Sequence, residues 1–299
     1  MERLIPAHLD AVGESPLWSV LEQALYWVDI EGRALHRWQI VNGRFSTWRM
    51  PERLACIALH GDGGLVAGMD SGLFHLRPGL GQDSQLGIQP LVTIEHPHTG
   101  MRCNDGRCDR QGRFWVGTMV RDMALAEPAG VLHRFDRAGL SAPLQRGLIT
   151  PNGLAFSPDG RTAYLSDSHP SMQRIWTFEL HDDGSLGARR LFVDMRALPG
   201  RPDGAAIDTD GGYWICANDA GLVHRFTPDG RLDRSITVPT SKPSMCSFGG
   251  PDLDLLFITT IRPAAAQGDD IALGGAVFVT RPGVRGLAET PFTPPLEET

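Results

Sequence analysis

The chain has 299 residues, 41% of them hydrophobic, enough to bury a large core and about the size of one big all-β domain or two ordinary ones. Its formal net charge is −7 and its 28 Lys and Arg form no basic run, which speaks against a nucleic-acid partner. No stretch approaches the roughly 20 apolar residues of a membrane span and the first ten residues lack the apolar core of a secretory signal, so the expected setting is cytoplasmic, with no membrane partner.

With 35 Gly and 22 Pro and no low-complexity tract, the composition favours many short strands over long helices. Cys56, Cys103, Cys108, Cys216 and Cys246 are odd in number, irregularly spaced and close to strand patterns, as expected of buried free thiols in a reducing compartment. Cys103 and Cys108 suggest soft metal ligands, but no second pair completes a site.

Along the chain a strand of bulky residues recurs at Tyr26-Trp27-Val28, Leu65-Val66-Ala67, Phe114-Trp115-Val116, Tyr164-Leu165-Ser166, Tyr213-Trp214-Ile215 and Leu256-Phe257-Ile258. Spacings of roughly 40 to 50 residues are the period of a four-stranded propeller blade. A further strand with alternating apolar residues follows, as in Ala34-Leu35-His36-Arg37-Trp38, Gly72-Leu73-Phe74-His75-Leu76, Gly130 to Phe135 and Gly221 to Phe226. His36, His75, His133 and His224 share one phase in these strands, which points to a structural role at a blade edge. Turns at Asp62-Gly63-Gly64, Gln111-Gly112, Pro158-Asp159-Gly160, Asp210-Gly211-Gly212 and Pro228-Asp229-Gly230 punctuate the repeats. No window of helical period exceeds a turn or two, and Asp194 to Leu198 is a stretch expected to form one.

The expected architecture is an all-β, six-bladed β-propeller over residues 1–299 as a single domain, monomeric or weakly dimeric. An open ring would leave a strand edge unpaired. The last repeat, from Ser244, supplies three strands ending near Val284 to Leu287, so the expected fourth strand is Arg3 to Ala7. The tail from Pro291 is expected to be loose.

The first strand of each blade lines the channel. At its opening phase stand Glu14, Ala55 or Cys56, Asn104, Asn152, Asp203 and Ser244. Asn104, Asn152 and Asp203 each precede the turn glycine of their repeat (Gly112, Gly160, Gly211) by the same eight positions. Singly, an Asn or Asp before Gly is a turn residue. In phase, two carboxylates and two amides converge on one hub and repel unless a cation lies between them. Oxygen ligation implies one divalent metal ion: Ca²⁺, Zn²⁺, Mn²⁺, Fe²⁺ or Mg²⁺.

With these residues in order the chain resembles the SMP-30/gluconolactonase/luciferin-regenerating family over essentially its whole length. The resemblance rests on Gly13-Glu14-Ser15-Pro16-Leu17-Trp18, Arg102-Cys103-Asn104-Asp105-Gly106, Gly117-Thr118-Met119, Asn152-Gly153-Leu154, Pro202-Asp203-Gly204, Cys246 to Gly250, and Gly274-Gly275 with Gly283 to Gly286. It implies hydrolysis of a small-molecule sugar lactone at one divalent metal held by Glu14, Asn152 and Asp203. Arg102 and Asn104 fall on the family's substrate-contacting positions. Asp122 falls on a further acidic one, where the family more often has Glu.

The mechanism expected from these roles has Asp203 as general base, with Arg102 and Asn104 donating to the substrate. Gly-x-Ser-x-Gly is absent, so no serine nucleophile competes. His96-Pro97-His98 lacks the other ligands of a zinc hydrolase and is assigned to a loop from His96 to Arg102 overhanging the channel, with Thr99-Gly100 as a lid hinge. Two alternatives stand beside this: an organophosphate hydrolase on the same metal site, and a non-enzymatic metal-binding propeller.

Overall fold

The computed structural model describes residues 1–79 and 85–294. Its strands form six antiparallel sheets, five of which take consecutive segments of the chain from the inside outward, while the last takes its outer strand from the N-terminus. The inner strands are Gly13–Ser19, Leu54–Leu59, Met101–Cys108, Pro151–Phe156, Arg201–Ile207 and Pro243–Gly249. Each touches the next and the last touches the first, which closes a six-bladed β-propeller. Trp18, Trp27, Trp115 and Trp214 are fully buried between the blades, and burying such rings supplies much of the hydrophobic driving force.

Every inner strand departs from regular pairing near its start, with breaks in register between Glu14 and Leu17, Leu54 and Cys56, Cys103 and Gly106, Asn152 and Ala155, Pro202 and Ala205, and Pro243 and Cys246. A bulge bends its strand and re-aims the side chains beside it. Pro202-Asp203-Gly204 is therefore part of a strand rather than a turn before one. Gly153 adopts φ +62°, and a Cβ there would lie 2.5 Å from the Tyr213 hydroxyl. At Gly204 a Cβ would lie 2.3 Å from Met245 Cγ of the next inner strand. Both positions require glycine.

Closure follows the expected plan with a shift. Glu2–Arg3 pairs with Phe278–Thr280 of the last blade, and the Leu4 N–H reaches Val277 O at 2.8 Å. The expected span of Arg3 to Ala7 is too late, because the chain turns away after Leu4 (His8 N to Ile5 O, 3.3 Å) and Pro6 has no N–H to give a ladder. The last blade's third strand is likewise shorter than expected, ending at Thr280. Residues 284–287 instead cross beneath the channel, where Gly286 N donates to Leu253 O and Thr209 N to Arg285 O.

The tail expected to be loose is ordered through Pro294. Its residues 295–299 lie outside the described residues. Phe292 is fully buried, stacks on Phe135 with ring centroids 5.2 Å apart, and exchanges backbone hydrogen bonds with Leu59 and Gly61. Arg107 and Glu289 add an ion pair at 3.4 Å. Together with those of residues 284–287 these contacts reach four blades, at Gly61, Arg107, Thr209 and Leu253, so the C-terminal segment straps the floor of the channel and leaves the opposite end, where the inner strands begin, as its mouth. The helical turn materialises as a 3₁₀ turn, Met195–Ala197, capped by Asp194. His75, His133 and His224 bond to backbone or Ser235 within their own blade neighbourhoods.

Phe292→Ala empties a fully buried aromatic site and is expected to cost about 3–5 kcal/mol in denaturant unfolding. A loss below about 1 kcal/mol would show that the strap contributes little.

Candidate functional site

The bulges gather the opening residues of three adjacent blades into one hydrogen-bonded chain. Arg102 Nη1 donates to Asn104 Oδ1 and to Cys103 O, both at 2.7 Å. Asn104 Nδ2 donates across the blade boundary to Asn152 Oδ1 at 3.0 Å and Pro151 O at 2.9 Å. Asn152 Nδ2 donates to Ser168 Oγ at 2.7 Å, and the Ser168 hydroxyl donates onward to Pro202 O. Asp203 Oδ2 accepts from Asn218 Nδ2 at 2.7 Å. Both nitrogens of the amide pair are thereby committed, and Asn152 Oδ1 keeps a second acceptor site.

Glu14 joins this group through its charge. Its carboxylate has only the weak 3.4 Å contact from Ser15 N–H and keeps a water-accessible face. Burial raises the Glu14 pKa well above the ordinary value, and the negative charges of Asp203 and Asp105 raise it further, against a smaller opposing pull from Arg102. Burial pushes Asp203 up to about 7, with Asp105 and Asp219 adding to the effect and Arg201 and Asn218 working against it. Burial also pushes the Arg102 guanidinium downward, while surrounding carboxylates, Glu14 among them, hold it up.

The two remaining opening positions do not supply ligands of this kind. Ser244 Oγ donates to Gly13 O at 2.5 Å and stitches the last blade to the first. Cys56 is a fully buried wall whose thiol is pushed up by burial.

Asp122 stands apart from the chain of amides. It is exposed, and its carboxylate caps the 3₁₀ turn Met123–Leu125 by accepting from Ala124 N at 3.1 Å. It nevertheless shares with Arg102, Arg121, Glu31 and Gly100 the wall of a cleft of about 380 Å³. The expected loop ends earlier than Arg102, which lies within the strand Met101–Cys108. His96 and His98 diverge, one reaching Asp70 O at 2.9 Å and the other lying 3.6 Å from Glu127.

Sequence reasoning missed three members of this neighbourhood. Ser168 and Asn218 come at the ends of second strands, where a polar residue after a fully buried run was the available signal. Asp105 is buried, accepts from Leu154 N at 2.8 Å through Oδ2, and has no hydrogen-bond partner at Oδ1. Strict alternation would send neighbours Asn104 and Asp105 to opposite faces of the strand, and only the bulge lets both act near the hub.

Among the described residues, one group of His, Cys, Asp or Glu side chains brings its ligand atoms within 4.8 Å of one another: His8, Asp10 and His36. It belongs to the closing segment and the first blade rather than to the hub.

A profile of the SMP-30/Gluconolactonase/LRE-like region matches residues 12–262. The chain belongs to the SMP-30/gluconolactonase/LRE-like family. It is 40% identical over 284 residues to the 6-deoxy-6-sulfogluconolactonase of Pseudomonas putida, covering 94% of each chain. It is 34% identical to the L-arabinolactonase of Azospirillum brasilense, covering 95% of this chain and 92% of that protein. Its fold matches a calcium-binding protein, regucalcin, from Agrobacterium tumefaciens with a TM-score of 0.88 at 26% identity, over 97% of this chain and 96% of the other. This member of the family is an enzyme of the carboxylic ester hydrolase class, which sets aside the non-enzymatic propeller.

The raised Asp203 pKa has a definite sign in stability. Between the ordinary carboxylate value and about 7 the folded protein keeps a proton that the unfolded chain has released, so stability falls as pH rises through that window. Metal-free protein is expected to lose Tm from about pH 4 to about pH 7, and Asp203→Asn to flatten that slope. Equal slopes in the two proteins would contradict the assignment.

Proposed function

We propose that the protein opens sugar lactones to aldonic acids at one divalent cation held by Glu14, Asn152 and Asp203. The observation that carries this reading is the hydrogen-bonded row of Arg102, Asn104 and Asn152, which leaves Asn152 Oδ1 a free acceptor site, with the Glu14 carboxylate close enough to Asp203 to be raised by its charge. Such a donor set fits a hard or borderline M²⁺, whose charge two carboxylates neutralise. When bound, the ion supplies Lewis acidity toward the lactone carbonyl and lowers the pKa of a nearby water.

The chain's own residues then divide the work. Asp203, with one oxygen anchored by Asn218, takes the proton of the attacking water as general base. Arg102 is fixed through Nη1, which leaves Nη2 and Nε as a fork toward the ring oxygen and hydroxyls of the substrate. The hydrogen bonds that fix Asn104 and Asn152 pre-set the hub before substrate arrives, so little reorganisation accompanies the reaction. Asp122, beside Arg102 in the cleft wall, contacts the distal part of the sugar.

The relatives' names span a sulfonated six-carbon lactone and a five-carbon one. Selectivity among lactones therefore belongs to the cleft wall of Glu31, Arg121 and Asp122 rather than to the hub.

Asp203→Ala is expected to lower kcat/KM on an aldonolactone by at least about 10³-fold at saturating metal, with the circular dichroism spectrum retained. EDTA is expected to abolish turnover and added divalent metal to restore it. Chelator-resistant lactonase activity would sink the metal assignment, and faster turnover of a fluorophosphate than of any aldonolactone would replace the substrate class by phosphotriesters.

A further inference from the structure

We propose that His8, Asp10 and His36 form a second metal site, for a borderline first-row transition ion such as Zn²⁺, clamping the seam where the propeller ring closes. His8 Nε2 lies 2.7 Å and His36 Nε2 3.2 Å from the same oxygen, Asp10 Oδ1. Two imidazole nitrogens directed at one carboxylate oxygen are satisfied in one of two ways, by ring N–H groups donating to it or, where the nitrogens are bare, by a cation shared among the three.

The surroundings orient each ligand as a metal site requires. Nδ1 of His36 pairs with Thr47 Oγ1 at 2.9 Å, and when it donates there, Nε2 faces Asp10 with a bare lone pair. That Nε2 is buried and has no hydrogen-bond partner. Trp27 Nε1 donates to the other oxygen, Asp10 Oδ2, at 2.9 Å and fixes the carboxylate. The His8 backbone is held by Arg3, whose Nη2 donates to His8 O at 3.1 Å. Asp10 is fully buried, whereas the His8 side chain is 22% exposed and provides the way in for an ion and for a water ligand.

The chemistry differs from that of the hub. Two imidazoles and one carboxylate suit Zn²⁺ and its neighbours, while Ca²⁺ and Mg²⁺ prefer oxygen donors alone. The position gives the ion a purpose. His8 and Asp10 sit on the segment that leaves the closing strand, Asp10 N donates to Gly275 O of the last blade at 2.8 Å, and His36 belongs to the third strand of the first blade. An ion bound here ties the last blade to the first.

The test uses full-length protein made metal-free, in the wild type and in the Glu14→Gln/Asp203→Asn variant that removes the hub carboxylates. Zn²⁺ and Co²⁺ are titrated, with thermal melting and the visible absorption of Co²⁺ as readouts. The hub variant is expected to bind one equivalent and to melt at higher temperature with Zn²⁺ but not with Ca²⁺. His8→Ala is expected to abolish this response, and Thr47→Val to weaken Zn²⁺ binding about 10- to 100-fold. Should the hub variant not fold, X-ray absorption of Zn²⁺-loaded wild-type protein decides, because the hub offers only oxygen donors and imidazole ligation reports the seam. No Zn²⁺ binding in the folded hub variant, binding unchanged by His8→Ala, an all-oxygen absorption signature, or an NMR finding that both His36 nitrogens stay protonated with Zn²⁺ present would each overturn the site.

Discussion

Carboxylates crowded into a water-poor hub set the terms for the rest of this molecule. Asp203 and Asp105 both raise Glu14, and Asp105 raises Asp203, on top of the larger effect of burial. Isolated negative charge in such surroundings is strongly unfavourable, so the groups hold protons or share a cation. A propeller can sustain that arrangement because each charge arrives on a different blade, anchored by its own sheet and packed on rings such as Trp27 and Trp214. The hydrophobic wedges between blades supply the stability that the hub withholds.

The backbone does the positioning. A bulge at the start of every inner strand turns Glu14, Asn104, Asn152 and Asp203 toward the mouth, and the same distortion brings Asp105 within electrostatic reach. The C-terminal strap closes the opposite end through Phe292 and the Arg107–Glu289 pair. With the floor strapped, the cleft wall bearing Arg102 and Asp122 lies at the end where the inner strands begin, the side from which we propose that a lactone approaches.

The blades and the ring were legible because a propeller repeats, so strand phase can be checked six times over, and Glu14, Asn152 and Asp203 stand at one phase of that repeat. The bulges were not legible: a single extra residue leaves no mark on hydrophobic periodicity, and Asp105 was hidden inside what reads as an Asn-Asp-Gly turn. The same limit explains the strap. Pro291 and Thr293 look like a loose end, and it takes the rings of Phe135 and His60, far away in sequence, to make Phe292 a core residue. His8, Asp10 and His36 carry no recognisable metal spacing, because their ligands come from the closing segment and from the third strand of a blade. His36 was read with His75, His133 and His224 as one structural set, and it differs from them in facing Asp10.

The most direct measurement is a crystal structure of the protein soaked in Mn²⁺, with anomalous diffraction to locate the ion. An anomalous peak at the hub, about 2.0–2.6 Å from oxygens of Glu14, Asn152 and Asp203, is the predicted result. A hub without such a peak, with those three side chains turned away from a common point, would contradict it.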